Sequence, residues 1–116
     1  MPNLSELVQE MLTRSAMLDE AIRELKEQTA AWAQHEHNYR KARASVYLET
    51  EGTVGTREAL TAKATLQQWK DAHLAEGLKV AALESVRSRR AQLSAVQSIA
   101  NAVKAEAMLA GVSGGP

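Results

Sequence analysis

Five side chains have the types and spacing that metal or acid–base chemistry would use: His35, Glu36, His37, His73 and Glu76. His35 and His37 are two apart, and on a helix that separation points them in nearly opposite directions, so they cannot share one ion. A di-metal helical bundle wants Glu-x-x-His repeated on neighbouring helices. Here the order is reversed, His73-x-x-Glu76, and only Glu36 is left to join it. The simpler reading is a polar Glu36–His73 pair inside an apolar seam, fixing register as buried polar residues do in coiled coils. Tyr39 and Arg43 extend the same layer. Gly52-x-x-Gly55 lacks the length and the lysine of a phosphate loop. With no Cys in the chain, thiolate chemistry is excluded. The expectation is a non-enzymatic protein with no catalytic residue, no metal and no cofactor.

Binding chemistry has better candidates. Arg40, Lys41 and Arg43 lie beside Tyr39 and Tyr47. Cations interleaved with aromatics hold single-stranded nucleic acid by phosphate contact and base stacking. The competing reading is a solvated helix face. A second cluster, Arg87, Arg89 and Arg90, is expected to face Asp19, Glu20 and Glu24 across a hairpin and so to be neutralised. The 14 basic and 14 acidic residues cancel, which argues against a dedicated polyelectrolyte binder.

The elements that must position these residues follow from the punctuation. Both prolines are terminal, Pro2 and Pro116. Asn3 or Ser5 suits an N-cap, with Glu6 in the first turn. Nothing then stops a helix until Glu51-Gly52-Thr53-Val54-Gly55. The expected fold is all-α: helix one at about 4–49, a loop at about 50–56 and helix two at about 57–110, capped by Thr56 with Glu58 near the dipole. Residues 111–116 read as a flexible C-terminal tail. Gly77 reads as a close-packing point or slight bend inside helix two. A short loop between two long helices folds them back antiparallel.

The apolar period supports a coiled-coil-like seam. In helix one, Leu4, Val8, Met11, Ser15, Leu18, Ile22, Leu25, Thr29, Trp32, Glu36, Tyr39, Arg43 and Val46 alternate by four and three. Helix two offers Ala59, Ala62, Leu66, Trp69, His73, Glu76, Val80, Leu83, Val86, Arg90, Leu93, Val96, Ala100, Val103 and Ala107. Folding about the loop then sets Tyr39 near Trp69, Glu36 near His73, Trp32 near Glu76, Leu25 near Leu83 and Ile22 near Val86. Leu7 and Leu12 flank the seam in helix one, and Ile99 with Val103 widens it in helix two. That surplus predicts self-association, as a homodimer or higher even oligomer forming a helical bundle at the end remote from the loop. No apolar run approaches a membrane span. The N-terminus lacks the start of a secretory signal. No membrane partner is expected, and the expected location is the cytoplasm.

Two stretches carry a family resemblance. Tyr47, Leu48, Glu51, Gly52, Thr53 and Val54 form a Tyr-Leu-x-x-Glu-Gly-Thr-Val turn, and Gln97, Ser98, Ala105 and Glu106 form a closing Gln-Ser/Ala-Glu pattern. Together, over about residues 38–109, they resemble small helical-hairpin proteins encoded near recombination and replication genes of tailed bacteriophages and prophages. The resemblance implies an accessory protein of phage DNA metabolism. The expected mode of action is contact with a phage or host protein in the host cytoplasm, with single-stranded DNA a further candidate partner only if the Arg40–Lys41 face is more than a solvated one. It implies no catalytic residues. The alternative is an interaction protein that binds and modulates a host protein.

Overall fold

The computed structural model describes residues 3–113. They form α1 (Leu4–Glu49), α2 (Val54–Ala64) and α3 (Leu66–Ser113). Among the described residues there is no strand. Residues 111–113, expected in a tail, continue α3, and 114–116 lie outside the described residues.

Local chemistry explains each boundary. Asn3 starts α1 through a reciprocal capping box: its Oδ1 accepts from the Glu6 amide at 2.8 Å, and Glu6 Oε2 accepts from the Asn3 amide at 3.3 Å. At the other end the Thr50 hydroxyl donates to the Val46 carbonyl at 2.6 Å, and Gly52 takes φ +123°, a conformation open to glycine at little cost. Thr53, not Thr56, is the next N-cap; its Oγ1 accepts from the Thr56 amide at 3.3 Å. The turn is therefore shorter than expected, and Gly55 lies inside α2.

The second helical arm breaks at Thr65, not at Gly77. Thr65 leaves helical geometry at φ −109°, ψ 16°. Its hydroxyl and its amide both donate to the Thr61 carbonyl, at 2.8 and 3.0 Å. A threonine that bonds back in this way bends a helix. Gly77 sits in α3, exposed, with nothing of its own chain within 4 Å of where a Cβ would be. It is not a close-packing point within the hairpin.

The chain divides into two compact units, the described parts of Met1–Arg23 with Glu84–Pro116, and Glu24–Leu83. In Glu24–Leu83, α1 half-buries Leu25, Gln28, Trp32, His35, Tyr39, Ala42 and Val46. Against it lie Thr61, Thr65, Ala72, Ala75 and Ala82, all buried, with Gln68 and Lys79 half-buried. In the other unit Leu7 and Ala21 are buried, and Met11, Arg14 and Leu18 half-buried, on α1. Val86 and Ala100 are buried on α3, and Arg89, Leu93, Val96 and Val103 half-buried. Arg14 Nη1 donates to Gln92 Oε1 at 3.0 Å between the two helices.

Both arms keep the four–three spacing of a coiled-coil seam, but half of the expected positions shift by one residue. On α1 the line Met11, Leu18, Leu25, Trp32, Tyr39, Val46 is in the seam. Its companion line is Leu7, Arg14, Ala21, Gln28, His35, Ala42; of the expected positions, Val8, Ser15, Thr29 and Arg43 are exposed, while Ile22 and Glu36 are half-buried beside it. On the second arm Ala62, Leu66, Trp69, His73, Glu76, Val80 and Leu83 are exposed, and the inward residues are Thr61, Thr65, Gln68, Ala72, Ala75, Lys79 and Ala82, one position earlier in each case and mostly smaller. The cause is volume. Setting Trp69 fully against Tyr39, its expected partner, would crowd two bulky groups into one layer, and overpacking costs roughly 1–3 kcal/mol per site. Small residues on one helix accept large ones from the other.

The expected cross-helix pairs change accordingly. The Glu36 carboxylate accepts from Arg40 Nε at 2.9 Å on its own helix, and His73 stacks on Trp69 with centroids 4.0 Å apart, so the Glu36–His73 layer does not form. Trp32 meets Lys79, whose Nζ lies 3.6 Å from its ring centroid, in place of Glu76. Arg87 pairs with Glu84 and Arg23 with Glu20, within single helices. These exposed pairs contribute little.

The two turn glycines should respond oppositely. Gly52→Ala should lower stability by about 1 kcal/mol, because φ is positive there. Gly55→Ala, in a helix with open space, should raise it by roughly 0.5–1 kcal/mol. Urea unfolding of both variants checks this; equal shifts would contradict the assigned turn.

Candidate functional site

Four aromatic residues are present, Trp32, Tyr39, Tyr47 and Trp69, and all fall within Glu24–Leu83. Two clefts of that unit collect three of them. The first, about 300 Å³, is lined by Arg40, Arg43, Ala44, Tyr47, Glu58 and Thr61. The second, about 260 Å³, is lined by Tyr39, Arg43, Ala62, Thr65, Leu66 and Trp69. Arg43 stands between them. Tyr39 and Trp69 share the second cleft although Trp69 is not in the seam.

The positions follow from helix geometry. Arg40, Arg43, Ala44 and Tyr47 recur at three- and four-residue steps, so they share one face of α1. α2 supplies Glu58 and Thr61 to the same cleft. Arg57 ties the two helices together across the turn. Its guanidinium lies 4.0 Å from the Tyr47 ring centroid, and its Nη2 donates to the Tyr47 carbonyl at 2.8 Å. Arg57 and Thr61 were not legible as site residues. Their only signal is local: Arg57 lies in the first turn of the second arm, and Thr61 and Thr65 are β-branched residues four apart in an otherwise helix-favouring stretch.

Charge around the first cleft is mixed. Arg40 is held by Glu36. Arg43 Nη1 reaches only the Tyr39 hydroxyl, at 3.4 Å. Glu58 has no ion-pair partner among the described residues. Of the two arginines that line the first cleft, Arg43 is thus the one without an ion pair, with Tyr39, Tyr47 and Trp69 lining the two clefts it shares. Lys41 is exposed and lines neither cleft.

The floor is polar and imperfectly satisfied. Thr61 is 1% exposed and Thr65 2%. Thr65 bonds back to Thr61, but Thr61 Oγ1, Arg57 Nε and Gln68 Oε1 are buried with no hydrogen-bond partner in the protein. Such atoms cost about 1–3 kcal/mol each.

The expected self-association residues divide. Leu7 is 5% exposed and belongs to the hairpin seam itself, because the seam runs one residue earlier on α1 than expected. Val103 is half-buried. Leu12 and Ile99 remain exposed. His35 is half-buried in a cleft with Asp71, and His37 is exposed beside Trp32 and Glu36. Among the described residues no three His, Asp or Glu side chains form a metal-binding group. No helix of the described residues is long and apolar enough to cross a membrane.

Thr61→Val should raise stability by about 1 kcal/mol, since it removes an unpartnered buried hydroxyl. Thr65→Val should not, since that hydroxyl is bonded. Chemical denaturation of the pair checks the difference, and a loss at Thr61 would mean that its hydroxyl is satisfied in solution.

No family model, curated protein or solved structure matches this chain.

Proposed function

We propose that this protein is a non-enzymatic, phage-encoded accessory protein of DNA recombination or replication. It works as a binding scaffold in the host cytoplasm and meets single-stranded DNA through the α1 face that carries Arg40, Arg43 and Tyr47. The observation that carries the reading is the cleft that sets two arginines beside Tyr47 and shares Arg43 with the Tyr39–Trp69 cleft. Guanidinium groups suit phosphate, and ring faces suit any base. The phage setting rests on the Tyr47–Val54 turn and the Gln97–Glu106 pattern.

A second reading has its own support. Leu48 and Val54 are 79% and 61% exposed at the turn. Apolar side chains there favour a protein partner, and in that reading the chain binds and modulates a host protein.

Fluorescence anisotropy with a labelled single-stranded oligonucleotide at low and moderate salt tests the first reading. Binding should weaken as salt rises, with a slope set by the few phosphates contacted. Arg40→Glu with Arg43→Glu should weaken it at least tenfold, and Lys41→Glu should do less. Absence of binding at low salt would refute the nucleic-acid reading. Sensitivity of host-protein capture to Leu48→Asp would then favour the second.

A further inference from the structure

The residues that bulk alone would assign to the hairpin seam form a separate stripe on α3. Leu66, Trp69, His73, Glu76, Val80 and Leu83 keep the four–three spacing of a coiled coil, and all are exposed. Trp69 is 40% exposed and Val80 50%. A seam-like period sustained on an outward face is the pattern a helix keeps when a second helix packs there. All six lie within Glu24–Leu83.

We propose that this stripe is a second seam, and that its occupant is the same stripe of a second copy, packed antiparallel about a two-fold axis. The stripe is complementary to itself when reversed. An axis between Leu74 and Ala75 sets Leu66 against Leu83 of the second copy and Trp69 against Val80. It sets His73 against Glu76, and by symmetry each of these contacts occurs twice. Apolar groups meet apolar groups at both ends, and a His–Glu pair meets its symmetry mate in the middle. Neither His73 nor Glu76 has an ion-pair partner among the described residues. In a parallel arrangement like would meet like, with Glu76 on Glu76 and His73 on His73.

Gly77 is an independent pointer to the same place. It lies in the middle of this stripe, four residues from His73 and three from Val80. Its own chain puts nothing within 4 Å of a Cβ there. A glycine inside a helix is unfavourable relative to alanine, and the hairpin has no use for it. Close approach of another backbone near the axis does. Leu66 and Trp69 also border the Tyr39–Arg43 cleft, whereas Gly77, Val80 and Leu83 line neither cleft, so the Gly77 variant tests association apart from the nucleic-acid reading.

Light scattering and sedimentation on the full chain should show dimers at micromolar concentration. Trp69→Glu with Leu83→Glu should give monomers that keep their helical circular dichroism. Gly77→Gln, harmless on a free helix face, should weaken association at least tenfold. The chain has no Cys, so engineered thiols report register cleanly. A mixture of Leu66→Cys chains and Leu83→Cys chains should form disulfide-linked pairs on oxidation, while neither variant alone should. Wild-type protein monomeric at tens of micromolar overturns the proposal. So do dimers that survive the glutamate substitutions, which would place the contact elsewhere, for example at Leu12 and Ile99.

Discussion

The organisation of this protein depends on the smallness of the side chains that α2 and α3 turn toward α1. Thr61, Thr65, Ala72, Ala75 and Ala82 are the buried residues of the second arm in Glu24–Leu83. Backbones can approach closely across such a surface, and side chains from the facing helix fill the space that the small ones leave. Leu25, Trp32 and Tyr39 do so from α1. A large apolar residue opposite Trp32 or Tyr39 would need room that these two rings already occupy, and the inward positions that are not small, Gln68 and Lys79, are only half-buried. The large residues of α3 are consequently one position out, on its surface. Their exposure is a consequence of the seam's composition, not a failure of the hydrophobic pattern.

Satisfaction is uneven along that seam. The alanines carry no polar side-chain atom to bury. The stretch nearest the turn carries Arg57, Thr61, Thr65 and Gln68, and three of their buried polar atoms have no partner in the protein. What secures this end is specific instead of bulky: the Arg57 guanidinium on Tyr47, and the Thr53 cap of α2. Local stability tracks buried apolar contact, so the turn end holds together by directed contacts around a polar floor. Tyr47, which receives the Arg57 guanidinium, also lines the first cleft.

Much of the fold is legible in the sequence, because helix boundaries depend on local chemistry. The Asn3–Glu6 box, the Gly52 break and the long uninterrupted arms follow from residue type. The phase of the seam does not. Met11, Leu18, Leu25, Trp32, Tyr39 and Val46 identify themselves by size, and they are in the seam. Their companions Arg14, Gln28 and His35 do not, since a half-buried polar residue resembles a surface one. On α3 two four–three series run side by side, one small and one large, and periodicity alone cannot rank them. Only the bulk already present on α1 decides which series faces inward. The site suffered from the same displacement. Arg40, Arg43 and Tyr47 are visible as a cluster, whereas Thr61 enters the cleft only because the true seam passes one residue before Ala62.

The displacement also divides the surface by helix. On α1 the cations Arg40 and Arg43 lie outside the seam line of Trp32, Tyr39 and Val46, so both guanidinium groups stay near water, Arg40 paired with Glu36 and Arg43 with no ion-pair partner among the described residues. On α3 the outward series is apolar, with one neutralisable His–Glu pair, and offers nothing to a phosphate. Association of apolar faces removes surface from water and is little affected by salt, whereas phosphate contact displaces counterions and is strongly affected. Two surfaces on two helices of one compact unit therefore obey different physical rules. The chain's zero net charge is compatible with both, because the charges that matter are placed locally and not summed. A protein with no more than four aromatic residues has put all of them between Trp32 and Trp69. An alanine seam has limited room for bulk: Trp32 and Tyr39 fill it from α1, and Trp69 lies outside it, 40% exposed.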